Sequence, residues 1–138
     1  MKSPAPAQLQ KLKAAAKAAA GPAYAPYSKF SVGAAVLTDA GEIHAGCNVE
    51  NASYGLTNCA ERTAIFSAVA ASKKKLRINC VVVYTPTRTA TAPCGACRQV
   101  IYEFGPTARV ISICAGPEHI DVSIDALLPG AFGPQDLV

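Results

Sequence analysis

The chain has 138 residues, of which 51% are hydrophobic and 16% are charged, and its formal net charge is +4. A chain of this length can bury about two-thirds of its unfolded surface, so disorder is excluded for most of it and one domain over 1–138 is predicted. The chain has no Trp, and aromatic residues make up only 7%, which disfavours a platform that stacks nucleic acid bases.

The N-terminal stretch is a poor secretory signal, because Lys11, Lys13 and Lys17 interrupt its alanines. No run reaches the roughly 18 apolar residues of a membrane helix. We therefore expect a cytoplasmic protein without membrane contact, with an organelle transit peptide as the open alternative. In the cytoplasm, six cysteines indicate metal ligands or buried thiols rather than disulfides.

The first half of the chain predicts a helix, a hairpin and a second helix. Ala, Lys and Gln favour a helix over 9–20, which ends at Gly21-Pro22. Two apolar runs separated by a turn predict a hairpin over 30–37 and 42–47. The apolar spacing then changes to that of a helix over 59–71.

The second half alternates between strands and helices. The predicted elements are a strand over 80–84, a helix over 94–104, strands over 109–114 and 119–124, and a short helix near 125–128. The last two strands are joined by a loop too short for a crossover, so they should pair antiparallel. The order predicts an α/β fold, a three-layer α-β-α sandwich around a mixed sheet of roughly five strands.

The basic excess is confined to one short segment. Lys73, Lys74, Lys75 and Arg77 are four of the thirteen basic residues, and the remaining nine equal the number of acidic residues. A solvated helix end explains this segment better than a phosphate-binding track does. We therefore expect no nucleic acid partner.

Two cysteine segments begin the predicted helices at 59 and 94. They are Cys59-Ala60-Glu61 and Pro93-Cys94-Gly95-Ala96-Cys97. A helix N-terminus stabilises thiolate, the form that binds zinc, so two converging N-termini could hold three thiolates around one ion. Three protein ligands leave the fourth tetrahedral position open, as in catalytic zinc sites, and Glu61 is the candidate proton carrier.

The spacing of Cys59 and Glu61 places a condition on this site. Residues two apart on a regular helix point about 200° from each other, so the metal must lie beyond the helix end and Cys59 at or before the first turn. A lone Cys-x-x-Cys pair also occurs in redox motifs and structural zinc sites. The two segments together match the zinc-deaminase signature.

The sequence resembles the small, homotetrameric class of cytidine deaminases. The resemblance rests on five blocks that span about 22–137, nearly the whole chain. The blocks are Ala25-Pro26-Tyr27-Ser28-Lys29-Phe30-Ser31-Val32-Gly33-Ala34-Ala35, Gly46-Cys47-Asn48-Val49-Glu50-Asn51-Ala52-Ser53-Tyr54, Cys59-Ala60-Glu61-Arg62-Thr63-Ala64, Pro93-Cys94-Gly95-Ala96-Cys97-Arg98-Gln99 and Leu127-Leu128-Pro129-Gly130-Ala131-Phe132.

The resemblance implies a nucleoside site. Asn48 and Glu50 would hold the ribose hydroxyls, Phe30 would pack on the nucleoside, and Ala60 would offer backbone contacts to the pyrimidine. A carboxylate beside the sugar would repel a phosphate, which favours a free nucleoside. Cytidine and 2′-deoxycytidine would be hydrolysed to uridine and 2′-deoxyuridine plus ammonia, in pyrimidine salvage.

The same resemblance implies one Zn²⁺ per subunit, bound by Cys59, Cys94 and Cys97, in a homotetramer. Zinc-bound hydroxide would attack C4 of the base, and Glu61 would carry the proton to N3 and then to the departing amino group. Three thiolates would give the zinc centre a net charge of −1, which makes the water harder to ionise. Arg62 would offset this charge by hydrogen-bonding the sulfurs.

The remaining implications concern the pocket rim and two departures from the family pattern. Tyr54 and Phe132 would close the pocket, Phe132 partly from a neighbouring subunit. Ala92 stands where the family often has Ser, which removes one pocket hydrogen bond. The segment 85–91 lacks the acidic residues often found there.

Two other interpretations stay open at this point. One is a deaminase of another substrate, such as a nucleoside antibiotic or a polynucleotide base. The other is a structural zinc or redox module without catalysis. A structural site would normally have a fourth Cys or His ligand, and neither His44 nor His119 is placed to serve.

Overall fold

The computed structural model describes residues 3–137 of the chain. The helices are α1 (Pro6–Ala19), α2 (Ala60–Ala71), α3 (Gly95–Phe104) and α4 (Ile124–Leu127), and short 3₁₀ turns lie at Tyr54–Leu56 and Pro134–Leu137. The strands are β1 (Gly33–Thr38), β2 (Ile43–Cys47), β3 (Ile78–Thr85), β4 (Arg109–Cys114) and β5 (His119–Ser123).

The five strands form one mixed sheet in the order β2-β1-β3-β4-β5. Only the β3–β4 pair is parallel, and α3 makes the crossover between these two strands. The β1–β2, β1–β3 and β4–β5 pairs are antiparallel. The predicted mixed five-stranded sheet, with its antiparallel final pair, is confirmed.

Helices cover both faces of the sheet. Leu12 and Ala16 of α1 pack on one face, in a buried cluster with Val82 of β3. The other face buries Ile65 of α2 and Ile101 of α3. These are the three predicted layers, and α2 and α3 share the face on which the cysteine segments lie.

The starts of two predicted elements lie three residues from the observed starts, for physical reasons. Helix α1 begins at Pro6 rather than Leu9, because the fixed φ of proline suits the first helical position. Strand β1 begins at Gly33 rather than Phe30. The backbone of 30–32 is bound instead by the Asn48 side chain, which accepts from Val32 N at 2.9 Å and donates to the Phe30 carbonyl at 2.7 Å.

Glycine permits a close approach of helix and strand at two positions. A Cβ atom on Gly33 would overlap the carbonyl oxygen of Ala16 in α1. A Cβ atom on Gly46 would lie 2.5 Å from the backbone N of Ala64 in α2. Glycine at these positions therefore lets α1 and α2 pack closely against the sheet. None of the helices described over 3–137 has the length and apolar character needed to cross a membrane.

Candidate active site

The three predicted metal ligands lie at the N-termini of α2 and α3. Cys59 is the N-cap residue of α2, with extended backbone angles of −77° and 156°. Cys94 is the N-cap residue of α3, with −66° and 168°, and Cys97 lies in the first turn of that helix. Because Cys59 lies before the helix, its side chain can face the same space as that of Glu61, as the spacing required.

The three sulfurs are spaced for one zinc ion. All lie within 4.8 Å of one another, and the Sγ atoms of Cys59 and Cys94 are 3.8 Å apart. Tetrahedral coordination with Zn–S bonds of ~2.3 Å separates two sulfurs by ~3.8 Å, so this pair fits directly. Within 3–137, no His, Cys, Asp or Glu forms a four-membered group with these three. The chain therefore fits one zinc ion with three thiolates and a fourth position free.

The protein environment favours thiolate at Cys59. Its pKa falls to about 5, first because Cys97 hydrogen-bonds its sulfur and then because Arg62 supplies a hydrogen bond and positive charge. Arg62 Nη2 donates to Cys59 Sγ at 3.2 Å. The pKa of Cys97 is raised, first by its hydrogen bond to Cys59 and then by burial. Arg62 and the neighbouring sulfur therefore favour the charged form of Cys59, which is the form that binds zinc.

Glu61 is the buried carboxyl group of the site. It lies in the first turn of α2 and its residue is only 5% exposed. Burial raises the pKa of Glu61 to about 7, and the negative charge of Cys59 contributes further. A carboxyl group that gains and loses a proton near neutral pH is suited to general acid–base chemistry.

Glu61 and Cys59 open onto a cavity of about 160 Å³, named here the inner cavity. This space is several times that needed for one water molecule, so it has room for a single small ring. Some of the residues that line the inner cavity were predicted from the sequence as site residues, and others were not. They include Phe30, Val32, Asn48, Ala60, Val83, Thr85, Ala92 and Cys94.

Glu50 and Tyr54 line a neighbouring cavity of about 410 Å³, named here the outer cavity. Its other lining residues are Tyr27, Ser28 and Thr57. Asn48, in contrast, borders the inner cavity and is 7% exposed. The two residues predicted to bind ribose hydroxyls are thus divided between adjoining spaces.

Among the predicted substrate-binding residues, Phe132 is the one that lines neither the inner nor the outer cavity. Its carbonyl accepts a hydrogen bond from Gln99 Nε2 at 2.8 Å, and its residue is 58% exposed. Closure of the pocket by Phe132 within one chain is therefore not observed. Its contribution from a neighbouring subunit stays a prediction.

Sequence reasoning missed Thr85, which is almost fully buried in the inner cavity wall. Its Oγ1 lies 2.8 Å from Thr87 Oγ1, which donates to the Thr89 carbonyl at 2.8 Å. Because Thr87 donates to that carbonyl, Thr85 is the donor to Thr87. Its position in the sequence could have indicated it, because Thr85 is the last residue of β3, where the chain leaves the sheet toward Cys94.

A three-thiolate site with a free fourth position, next to a buried carboxyl group, defines the class of zinc-dependent hydrolases. Comparison with known proteins refines this assignment. Residues 6–114 match the family model described as "Cytidine and deoxycytidylate deaminase zinc-binding region". The chain therefore belongs to the cytidine and deoxycytidylate deaminase family.

Individual relatives agree with the family match. The chain is 45% identical over 130 residues to a cytidine deaminase of Sporosarcina psychrophila, covering 94% of each chain. A crystal structure of cytidine deaminase from Burkholderia pseudomallei superposes with a TM-score of 0.84 at 52% identity, covering 89% of this chain and 98% of that one. The Mycobacterium tuberculosis cytidine deaminase structure gives a TM-score of 0.76 at 38% identity, with 91% and 97% covered.

Proposed function

We propose that this chain hydrolyses cytidine and 2′-deoxycytidine to uridine and 2′-deoxyuridine, with release of ammonia. Its family makes it a zinc-dependent hydrolytic deaminase. The observation that carries the proposal is the inner cavity, because Cys59, Cys94 and Glu61 line one space that has room for a small ring.

Cys59, Cys94 and Cys97 would hold the zinc ion through thiolates. When bound, zinc supplies Lewis acidity, which lets a water molecule lose a proton near neutral pH. The helix N-termini at Cys59 and Cys94 stabilise the negative charge of these ligands. The hydrogen bond from Arg62 withdraws charge from Cys59, so the net −1 charge of the loaded centre is partly offset.

Glu61 would take up the proton of the attacking water and deliver it first to N3 and then to the departing amino group of the base. Its raised pKa, caused mainly by burial, lets it hold a proton at neutral pH. Burial also excludes competing water from the carboxyl group. Glu61 is therefore proposed as the catalytic proton carrier.

The remaining residues would bind and orient the nucleoside. Phe30 would pack on the base, and the backbone at Ala60 would contact the pyrimidine, since both line the inner cavity. Asn48 and Glu50 would bind the ribose hydroxyls. Tyr54 would close the outer cavity, and Phe132 would approach from a neighbouring subunit.

The biological setting forms part of the same proposal and rests on the family resemblance. One domain over 1–138 would assemble into a cytoplasmic homotetramer that acts in pyrimidine salvage on free nucleosides, without a nucleic acid partner. The expected absence of a nucleic acid partner can be tested by filter binding to single-stranded DNA at moderate salt. Retention of the DNA on the filter would contradict this expectation.

An ultraviolet assay with cytidine tests the proposed reaction. We expect loss of the cytidine absorbance with release of one ammonia per uridine. Removal of zinc should abolish the reaction, and addition of one equivalent of zinc per chain should restore it. Zinc-loaded protein that leaves cytidine unchanged would overturn the proposed function.

A further inference from the structure

The carboxylate of Glu50 is held by three donors from the loop that precedes β1. Its Oε1 accepts from the backbone N atoms of Tyr27 at 2.9 Å and Ser28 at 3.1 Å. Its Oε2 accepts from Ser28 Oγ. Two consecutive backbone N–H groups directed at one oxygen form a small anion-binding concavity, and the Ser28 hydroxyl completes it.

Ser28 also connects Glu50 to the wall of the inner cavity. Its Oγ accepts a hydrogen bond from Phe30 N at 3.1 Å while it donates to Glu50. Lys29, between them, has a φ of 60°, in the left-handed region that a residue with a side chain rarely adopts. The loop is closed by a hydrogen bond from Lys29 N to the Ala25 carbonyl at 3.1 Å. One hydroxyl therefore links the positions of Phe30 and Glu50.

The hydrogen bonds leave Glu50 with limited free capacity. A carboxylate offers about four lone-pair sites, and the loop occupies three of them. The pKa of Glu50 is lowered, first by the Ser28 hydroxyl, then by the Ser28 and Tyr27 backbone groups and the charge of Lys29, so the group is ionised and can only accept. The remaining lone-pair site suits one hydroxyl donor in the outer cavity, which Glu50 lines together with Tyr27 and Tyr54.

We propose that Ser28 is a positioning residue for sugar recognition, which acts by fixing the orientation of the Glu50 carboxylate relative to Phe30. This inference rests on the proposed function, because it concerns how the same site reads the sugar of its nucleoside. Ser28 itself need not touch the substrate. Removal of the Ser28 hydroxyl should weaken binding of a nucleoside whose sugar has 2′- and 3′-hydroxyls. The chemistry at Glu61 should be unaffected.

The experiment compares Ser28→Ala with wild type on cytidine and on 2′,3′-dideoxycytidine. We expect Ser28→Ala to raise KM for cytidine about three- to tenfold, the usual effect of one lost hydrogen bond, with kcat within about twofold. The kinetic constants for 2′,3′-dideoxycytidine should not change, since that sugar lacks the 2′- and 3′-hydroxyls that Glu50 would bind. Ser28→Thr keeps the hydroxyl and should restore KM.

A second measurement follows Glu50 directly. The ¹³C carboxyl resonance of Glu50, assigned by its loss in Glu50→Gln, should titrate with a pKa below that of an ordinary glutamate in wild type and higher in Ser28→Ala. Ser123→Ala is the matched control, because Ser123 Oγ donates to the Asp125 carboxylate at an exposed site outside both cavities. This control should change neither the titration of Glu50 nor KM.

The outcomes separate this inference from the proposed function. Wild-type protein that does not deaminate cytidine would overturn both. An active wild type whose Ser28→Ala variant keeps its KM for cytidine, or loses activity equally on both nucleosides, would overturn the role of Ser28 alone. A rise in KM confined to cytidine, with rescue by Ser28→Thr and a shifted Glu50 titration, would support it.

Discussion

Glu61 is buried beside the cysteine cluster, and this position determines its chemistry. Burial raises its pKa to about 7, with the Cys59 charge as a further cause. Three thiolates around one Zn²⁺ leave a net charge of −1, so the loaded centre also disfavours ionised Glu61. The residue is therefore able to hold a proton at neutral pH.

Replacing Glu61 by glutamine tests this role. Glu61→Gln should bind zinc as wild type does, because the carboxyl group is not among the three sulfur ligands. Turnover of cytidine should fall by at least the ~10²- to 10⁴-fold typical of a lost acid–base group. Glu103→Gln, an exposed glutamate on α3, is the control. Near-normal turnover in Glu61→Gln would remove this residue from the mechanism.

Arg62 acts one step away from the metal. Its Nη2 lies 3.2 Å from Cys59 Sγ, and this contact raises the pKa of Arg62. Arg62→Gln should lower zinc affinity or turnover by about 10- to 100-fold, as is typical when a partner of a metal ligand is removed. Dialysis against a zinc buffer and a pH–rate profile measure the two effects. Arg77→Gln, at an exposed arginine, is the control. If Arg62→Gln keeps the wild-type metal content and pH–rate profile, the proposed role of Arg62 is refuted.

At the scale of elements, α2, which carries Glu61, packs closely on β2 near its N-terminal end. The Cα of Gly46 faces the backbone of Thr63 and Ala64, with no room for a side chain. The position of α2 therefore depends on a glycine that lines neither the inner nor the outer cavity.

Gly46→Ala should destabilise the fold, because the new methyl group would overlap the α2 backbone. We expect the free energy of unfolding in urea to fall by about 1–3 kcal/mol, the usual cost of overpacking. Gly55→Ala serves as the control, since its Cβ would meet no atom within 4 Å. If Gly46→Ala and Gly55→Ala had equal free energies of unfolding, α2 could shift to make room for the methyl group without loss of stability.

Element types and the metal ligands were predictable from the sequence because both depend on local patterns. Helix formers, apolar spacing and the Cys–Glu and Cys–Cys intervals lie within single elements. The start of β1 was not predictable, because Asn48 binds the backbone of Phe30 and Val32 from 16 or more residues away. The contact of Ser28 with Glu50 spans 22 residues, so it too needed the folded chain.

At the scale of the whole molecule, one ion pair joins β4 to β5 at the sheet edge distant from the hairpin. Arg109 Nε and Nη2 donate to the two Asp121 oxygens at 2.8 and 2.6 Å. The pKa of Asp121 is lowered, first by these hydrogen bonds from Arg109. The ion pair therefore stabilises the folded chain at pH values above the ordinary pKa of Asp. This stabilisation is lost as the pH falls through the lower pKa that Asp121 has in the folded protein.

Asp121→Asn should reduce the free energy of unfolding at neutral pH by less than about 1 kcal/mol, because the pair is partly exposed and screened by solvent. The difference from wild type should shrink as the pH falls below about 4. Urea unfolding at a series of pH values measures it. A difference that stays constant across this range would show that the ion pair does not contribute.

The most direct test of the account is X-ray absorption at the zinc edge of the loaded protein. We predict one zinc per chain with three sulfur neighbours at ~2.3 Å and a single light atom at ~2.0 Å, as in catalytic sites. Conversion of Cys97 to alanine should remove one sulfur from this shell. Four sulfur neighbours, or zinc that is retained when Cys59, Cys94 and Cys97 are all replaced, would contradict the account.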